Sequence, residues 1–85
     1  MTIQDLTNDV RELIAYKLEM PLYQVTEEAD LVADLGADSL DIIEIIIDVE
    51  DEFDIEILDA DAERLHTVGD YVNFVAARKN VHIDA

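Results

Sequence analysis

The apolar residues between Leu40 and Phe53 repeat with the period of an α-helix, and they do so on two separate faces. Taking about 100° per residue from Leu40, the residues Ile45, Val49, Ile42, Phe53 and Ile46 fall between about 140° and 240°. That sector is wide enough to face a core. Leu40, Ile43 and Ile47 fall instead near about 0°, 300° and 340°, with Ser39 just beyond at about 260°. Glu44, Glu50, Asp51 and Asp54 surround this narrower stripe. Two readings of it are open. Either the preceding loop folds over the stripe, with Ile43 best placed for cover, or the stripe is an exposed docking surface where acids steer and aliphatic groups make contact. The isoleucine run is β-branched and lowers helix propensity locally, yet its length and 3.6-residue pattern favour helix over strand.

The start of this helix is marked by Leu35-Gly36-Ala37-Asp38-Ser39-Leu40. Gly36 permits a tight backbone before the helix. Asp38 or Ser39 can cap it, and Asp41 adds a favourable negative charge to its first turn. Taken alone, a serine in this place reads as a cap. Upstream, Thr2 with Asp5 is a variant of the capping box, and Ile3, Leu6, Val10, Leu13, Ile14 and Leu18 follow helical spacing. This first helix should end before Pro21, which disfavours helix at Met20. A long connection follows, from Glu19 to Asp38, with Leu22, Val25, Leu31, Val32 and Leu35 as its expected anchors and Thr26 to Asp30 as a candidate short helical turn.

Downstream, Asp59 can cap a short helix through Leu65, with Ala62 and Leu65 facing inward. Thr67 with Asp70 opens a last helix whose apolar face is Val68, Tyr71, Val72 and Val75. Arg78 and Lys79 sit near its C-terminus, where positive charge suits the helix dipole. The expectation is an all-α fold of four helices, one of them short, in a single domain over 1–79 with a loose, flexible tail at 80–85.

Charge narrows the function classes. The net charge is −17, and residues 18–63 hold 17 of the 22 acids with no Lys or Arg. The rest of the chain balances 5 acids against 5 bases, namely Arg11, Lys17, Arg64, Arg78 and Lys79. Nucleic acid and anionic membranes are poor partners for the acidic stretch, whereas basic protein patches are steered towards it. With no cysteine, the chain has no disulfide and no thiol for catalysis or metal binding, so any sulfur chemistry needs a cofactor. Neither a leader nor an apolar run of membrane length is evident, which fits a soluble protein of a reducing compartment.

The serine run, followed by Glu44 and by Glu50-Asp51-Glu52-Phe53-Asp54-Ile55-Glu56-Ile57, resembles the acyl carrier proteins of bacterial type II fatty-acid synthesis. Thr67-Val68-Gly69-Asp70 looks like the start of that family's last helix, and the resemblance is clearest from Leu31 to Val75. It implies a four-helix bundle of the acyl-carrier type, with three longer helices, one short helix and a long loop between the first two. It further implies that Ser39 carries 4'-phosphopantetheine, transferred from coenzyme A by a separate phosphopantetheinyl transferase, with Asp38 and Leu40 flanking the attachment. A helix N-terminus tolerates such a phosphate. Ser39 is then a substrate, and the chain is a carrier with no catalytic residue. Growing acyl chains would ride on the arm as thioesters and be presented to fatty-acid synthesis enzymes. Ile45, Val49, Phe53, Ile57, Ala62, Leu65, Tyr71 and Val72 are the interior residues that could shelter them.

The resemblance also implies a partner face made of Asp38, Leu40, Asp41, Ile43, Glu44, Ile47, Asp51 and Glu52, meeting basic patches on the transferase and the synthase enzymes. Exposed ion pairs are worth ~0–1 kcal/mol each, so such a face governs encounter more than affinity. A cytoplasmic monomer is expected, with no bound metal, no nucleic acid and no membrane insertion. Three residues depart from the family pattern: Leu58 in place of a frequent proline, the charged Asp48 within the second helix, and the bulky Tyr71. They bear on acyl length and pathway. A carrier for polyketides, peptides or another specialised acyl pathway shares the serine and the cofactor, while an unmodified acidic interaction module would explain the charge but not the motif. An EF-hand is excluded because the alternating Asp59, Asp61 and Glu63 lead to Arg64 and Asp70, where a glycine and a glutamate are required. No G-x-S-x-G surrounds Ser39, and His66 and His82 lack evident partners for hydrolase chemistry.

Overall fold

A computed structural model describes residues 2–80. Its helices are α1 (Ile3–Leu18), α2 (Ser39–Phe53), the short α3 (Asp59–Ala62) and α4 (Val68–Lys79), with one 3₁₀ turn at Leu22–Gln24. The three longer helices all open on a capping box: Thr2 with Asp5, Asp38 with Asp41, and Thr67 with Asp70. Each ends on a residue in the left-handed region, Glu19, Asp54 or Asn80. Asn80 is thus the C-cap of α4, and the remainder of the expected tail lies outside the described residues.

The core forms where α1 packs against both α2 and α4. Leu6, Val10 and Ile14 of α1 meet Ile45 and Val49 of α2 and Val68, Val72 and Val75 of α4, all of them buried. Burying a side chain of this size favours folding by roughly 1.5–3 kcal/mol. Val25, Leu31, Ala29 and Ala37 bring the long connection into the same cluster.

That connection differs from expectation in two respects. Val25 and Leu31 are buried and Leu35 is half-buried, but Leu22 and Val32 are exposed. The helical turn lies at Leu22–Gln24, whereas Thr26–Asp30 makes a reverse turn closed by the Ala29 N–H on the Thr26 carbonyl. The reason is where the backbone groups are used. The Arg11 guanidinium donates to the carbonyls of Val25 at 2.6 Å and Leu22 at 2.9 Å, which turns this segment towards α1. Further on, Leu31 N–H donates to the His66 carbonyl, Val68 N–H to Ala29 and Gly69 N–H to Glu27, at 2.9, 3.0 and 2.9 Å. The segment instead runs extended into Asp30, which forms an antiparallel bridge with Thr67, and a helical backbone at Asp30 could not make that pairing. Gly69 is needed for the close approach, since a Cβ there would lie 3.2 Å from the Glu27 carbonyl oxygen.

The short helix also starts differently. Leu58 is its N-cap, without a side-chain cap bond, and Asp59 is its first helical residue. It stops at Ala62, yet Leu65 remains buried and Ala62 half-buried, as their spacing suggested.

Asp70 and Tyr71 generate two predictions. The Asp70 carboxylate accepts from Thr67 N–H at 3.0 Å and His66 N–H at 2.9 Å, and the bond from Thr67 leads in holding its pKa below the ordinary 3.8. Because the folded pKa is depressed, this contribution is present above the unfolded value of 3.8 and is lost as pH falls through the folded pKa. Asp70→Ala should cost about 1 kcal/mol near neutral pH, with the gap to the parent closing below that range in pH-dependent denaturation. Tyr71 is wholly buried, and its hydroxyl has no hydrogen-bond partner among the described residues. Burial, followed by the nearby Asp70 charge, pushes its pKa up to about 12. Tyr71→Phe removes an unsatisfied buried group at nearly constant shape, so it should raise thermal stability by about 1 kcal/mol.

Candidate functional site

Ser39 is the first residue of α2 and is exposed. Capping falls to its neighbour: the Asp38 carboxylate accepts from Asp41 N–H at 2.9 Å, and Asp41 returns the contact from Asp38 N–H at 3.2 Å. Of the two cap candidates, Asp38 is the one used, and the Ser39 hydroxyl stands outside the box. Since the box engages Asp41 N–H and the first intrahelical bond engages Ile42 N–H, the amides of Ser39 and Leu40 remain at the helix N-terminus for an anion.

The approach to Ser39 is shaped by the loop before it. Gly36 sits at φ +75°, a conformation that a side chain would strain. Ala37 N–H then donates to the Leu31 carbonyl at 2.8 Å. The Asp30 carboxylate accepts from Val32 and Ala33 N–H, and Asp34 accepts from Asp30 N–H. Two acids in the middle stretch therefore serve the loop's own backbone.

Along α2 the two faces separate. Ile45, Val49 and Phe53 are buried and Ile42 and Ile46 half-buried. Leu40, Ile43 and Ile47 are exposed by 62%, 54% and 55%, so the long loop does not cover them, Ile43 included. Asp38, Asp51 and Glu52 are exposed and Asp41 half-buried.

Glu44 and Asp48 face α1. Lys17 reaches Asp48 at 3.0 Å and Glu44 at 3.5 Å, and its pKa is raised, chiefly by the hydrogen bond to Asp48. This explains a charge in the middle of α2 that the sequence presented only as an anomaly. Lys17 was legible as a residue of the first helix; its pairing was not, because nothing in the local pattern says which helix it meets. Glu50 is likewise engaged, accepting from Ile57 N–H at 2.7 Å and holding the chain after α2 against the helix.

A cleft of about 400 Å³ opens between the loop, the first turns of α2 and α3, lined by Leu31, Val32, Ile42, Ala62, Leu65 and His66 among others. Of the interior candidates, Ala62 and Leu65 line it. Ile45, Val49, Phe53, Ile57, Tyr71 and Val72 belong to the packed core.

Residues 8–75 match the family described as "Phosphopantetheine attachment site". The chain is 44% identical to an acyl carrier protein of Thermotoga maritima over 72 residues, which cover 85% of this chain and 89% of that one. It is 45% identical to an acyl carrier protein of Exiguobacterium sp. over 78 residues, covering 92% and 99%. Among solved structures it is similar to an acyl carrier protein from Enterococcus faecalis, with a TM-score of 0.76, 35% identity and coverage of 91% and 98%. A Mycobacterium tuberculosis structure described as an acyl carrier protein gives 0.81 at 37% identity, covering 86% and 97%. Sequence and fold agree over most of the length, and the chain belongs to the acyl carrier proteins: it carries acyl chains on 4'-phosphopantetheine for fatty-acid synthesis enzymes and is itself no enzyme.

Proposed function

We propose that Ser39 is the attachment residue and that the exposed side of α2 is the face its enzymes read. The observation that carries this is an alignment on one helix. Ser39, Ile43, Ile47 and Leu40 span a continuous arc of about 100°, and the three aliphatic residues are each more than half exposed. An enzyme seated on the stripe therefore has the serine at its edge.

The residues present fit the group. The Ser39 hydroxyl is exposed at a helix N-terminus, and the Ser39 and Leu40 amides are available to a phosphodiester. When bound, 4'-phosphopantetheine supplies the thiol on which acyl groups are held as thioesters. The chain's own contribution is positioning: the capping box fixes the first turn of α2, and the Leu31–Ala37 contact fixes the loop that leads into it.

On the partner face, Asp38, Asp41, Asp51 and Glu52 attract basic patches of the phosphopantetheinyl transferase and of the synthase enzymes, and Leu40, Ile43 and Ile47 make the apolar contact. Glu44 takes part with its charge already shared with Lys17. The domain is read as residues 1–79, a cytoplasmic monomer, since copies this acidic repel one another.

Incubation with coenzyme A, magnesium and a phosphopantetheinyl transferase should add one phosphopantetheinyl group to the parent by intact mass and none to Ser39→Ala. No gain, with a transferase active on another carrier, overturns the assignment. Asp51→Asn with Glu52→Gln should slow the transferase about threefold at low ionic strength and hardly at all at high salt, because exposed pairs are weak and screened. Glu44→Gln should have a smaller effect in the same assay.

A further inference from the structure

The two most exposed large apolar side chains among the described residues are Tyr16, at 85%, and Tyr23, at 75%, and neither lies on α2. Tyr16 borders a cleft of about 480 Å³ between the end of α1 and the 3₁₀ turn, where Ala15, Met20, Pro21 and Leu22 form the rest of the apolar wall. Two carboxylates, Glu12 and Glu19, complete the lining.

The walls are held by identifiable contacts. Glu19 ends α1 in the left-handed conformation, and Met20 N–H donates to the Ala15 carbonyl at 3.1 Å. Arg11 binds the Leu22 and Val25 carbonyls, fixing the turn against α1. The cleft is thus shaped by α1 and its own loop, which lowers the ordering cost of filling it.

Its charge follows from where the bases of α1 are engaged. Arg11 holds loop carbonyls, and Lys17 pairs with Glu44 and Asp48. Bonds to neutral carbonyls leave the Arg11 charge in place behind Leu22, so Glu12 and Glu19, two carboxylates against one guanidinium, leave the rim net negative. We propose that this cleft is a second docking site, for a segment of a partner protein that presents an aliphatic or aromatic side chain beside Lys or Arg. A second copy of the chain is disfavoured, since it would bring a net charge of −17 against an acidic rim, and an anionic lipid surface is repelled in the same way. The site is separate from the attachment serine. Lys17, next to Tyr16, contacts Glu44 and Asp48, which lie roughly 8–14 Å along the α2 axis from Ser39. Occupancy requires neither the arm nor its cargo.

The test uses the full chain, isotopically labelled, carrying Ser39→Ala so that no arm is present, and titrated with an amphipathic peptide of Leu and Lys. Amide shifts should concentrate on Ala15, Tyr16, Glu19, Met20 and Leu22, and should persist when Ile43→Ser is added to disable the α2 stripe. Tyr16→Ser with Leu22→Ser should weaken binding by about fivefold or more, and Tyr16→Ser alone, at a position 85% exposed, should also weaken it while keeping the parent's melting curve. Shifts confined to α2, unchanged affinity in the double variant, or absence of binding would overturn the proposal. So would equal binding of a peptide with Gln in place of Lys, or self-association that buries Tyr16. Because the serine is already removed, failure here leaves the carrier reading intact.

Discussion

The short backbone ladder between residues 27–31 and 66–69 is the constraint on which the site depends. The connection from Glu19 to Asp38 satisfies part of its backbone with one 3₁₀ turn and local turn bonds, and burying the rest demands partners from elsewhere. The segment before α4 supplies them, through the Leu31–His66, Ala29–Val68 and Glu27–Gly69 hydrogen bonds. Asp70 holds the other side, binding the His66 and Thr67 amides that lead into α4. With Leu31 fixed, its carbonyl receives Ala37 N–H, and the next residue is the cap of α2. The position of Ser39 is thus set by a chain of contacts that begins on the last helix.

A second consequence concerns charge. Concentrating 17 acids within residues 18–63 favours solubility and steering but opposes compaction by self-repulsion. The fold offsets part of this by giving many carboxylates structural tasks. Asp30 and Asp34 bind loop amides, Asp38 and Asp41 cap α2, and Glu50 holds Ile57. Lys17 and Arg78 draw Glu44, Asp48 and Asp61 into ion pairs. On α2, Asp51 and Glu52 are the exposed acids without such a structural task among the described residues. The same helix is therefore a structural column on one side and an exposed apolar and acidic surface on the other, the side proposed above for recognition. The division follows its apolar angular pattern.

Tyr71 marks a limit of the packing. Its ring fills core volume beside aliphatic residues from three helices, but its hydroxyl is buried without a partner among the described residues. The cleft beside α3 is lined instead by Leu31, Ile42, Ala62 and Leu65, at the mouth of the interior. Enlarging that cleft inward would displace contacts that the packed core makes.

The sequence left the cap of α2 open between Asp38 and Ser39, but by itself it determined the four helices, the boxes at Thr2 and Thr67, the inward face of α2 and the serine motif. All of these depend on residues within a few positions of one another, through helical period and capping chemistry. Tertiary structure alone decided that Leu40, Ile43 and Ile47 stay uncovered and that Leu22 and Val32 do not anchor the loop. It also decided that Arg11 and Lys17 are engaged internally and that the turn forms at Leu22–Gln24 instead of Thr26–Asp30. Each of those outcomes rests on a partner distant in sequence: a carbonyl 11 or 14 residues from Arg11, acids on another helix for Lys17, and the α4 entry for the loop. Periodicity records which face of a segment is apolar. What that face meets is settled only when the chain closes and remote backbone and charged groups find one another.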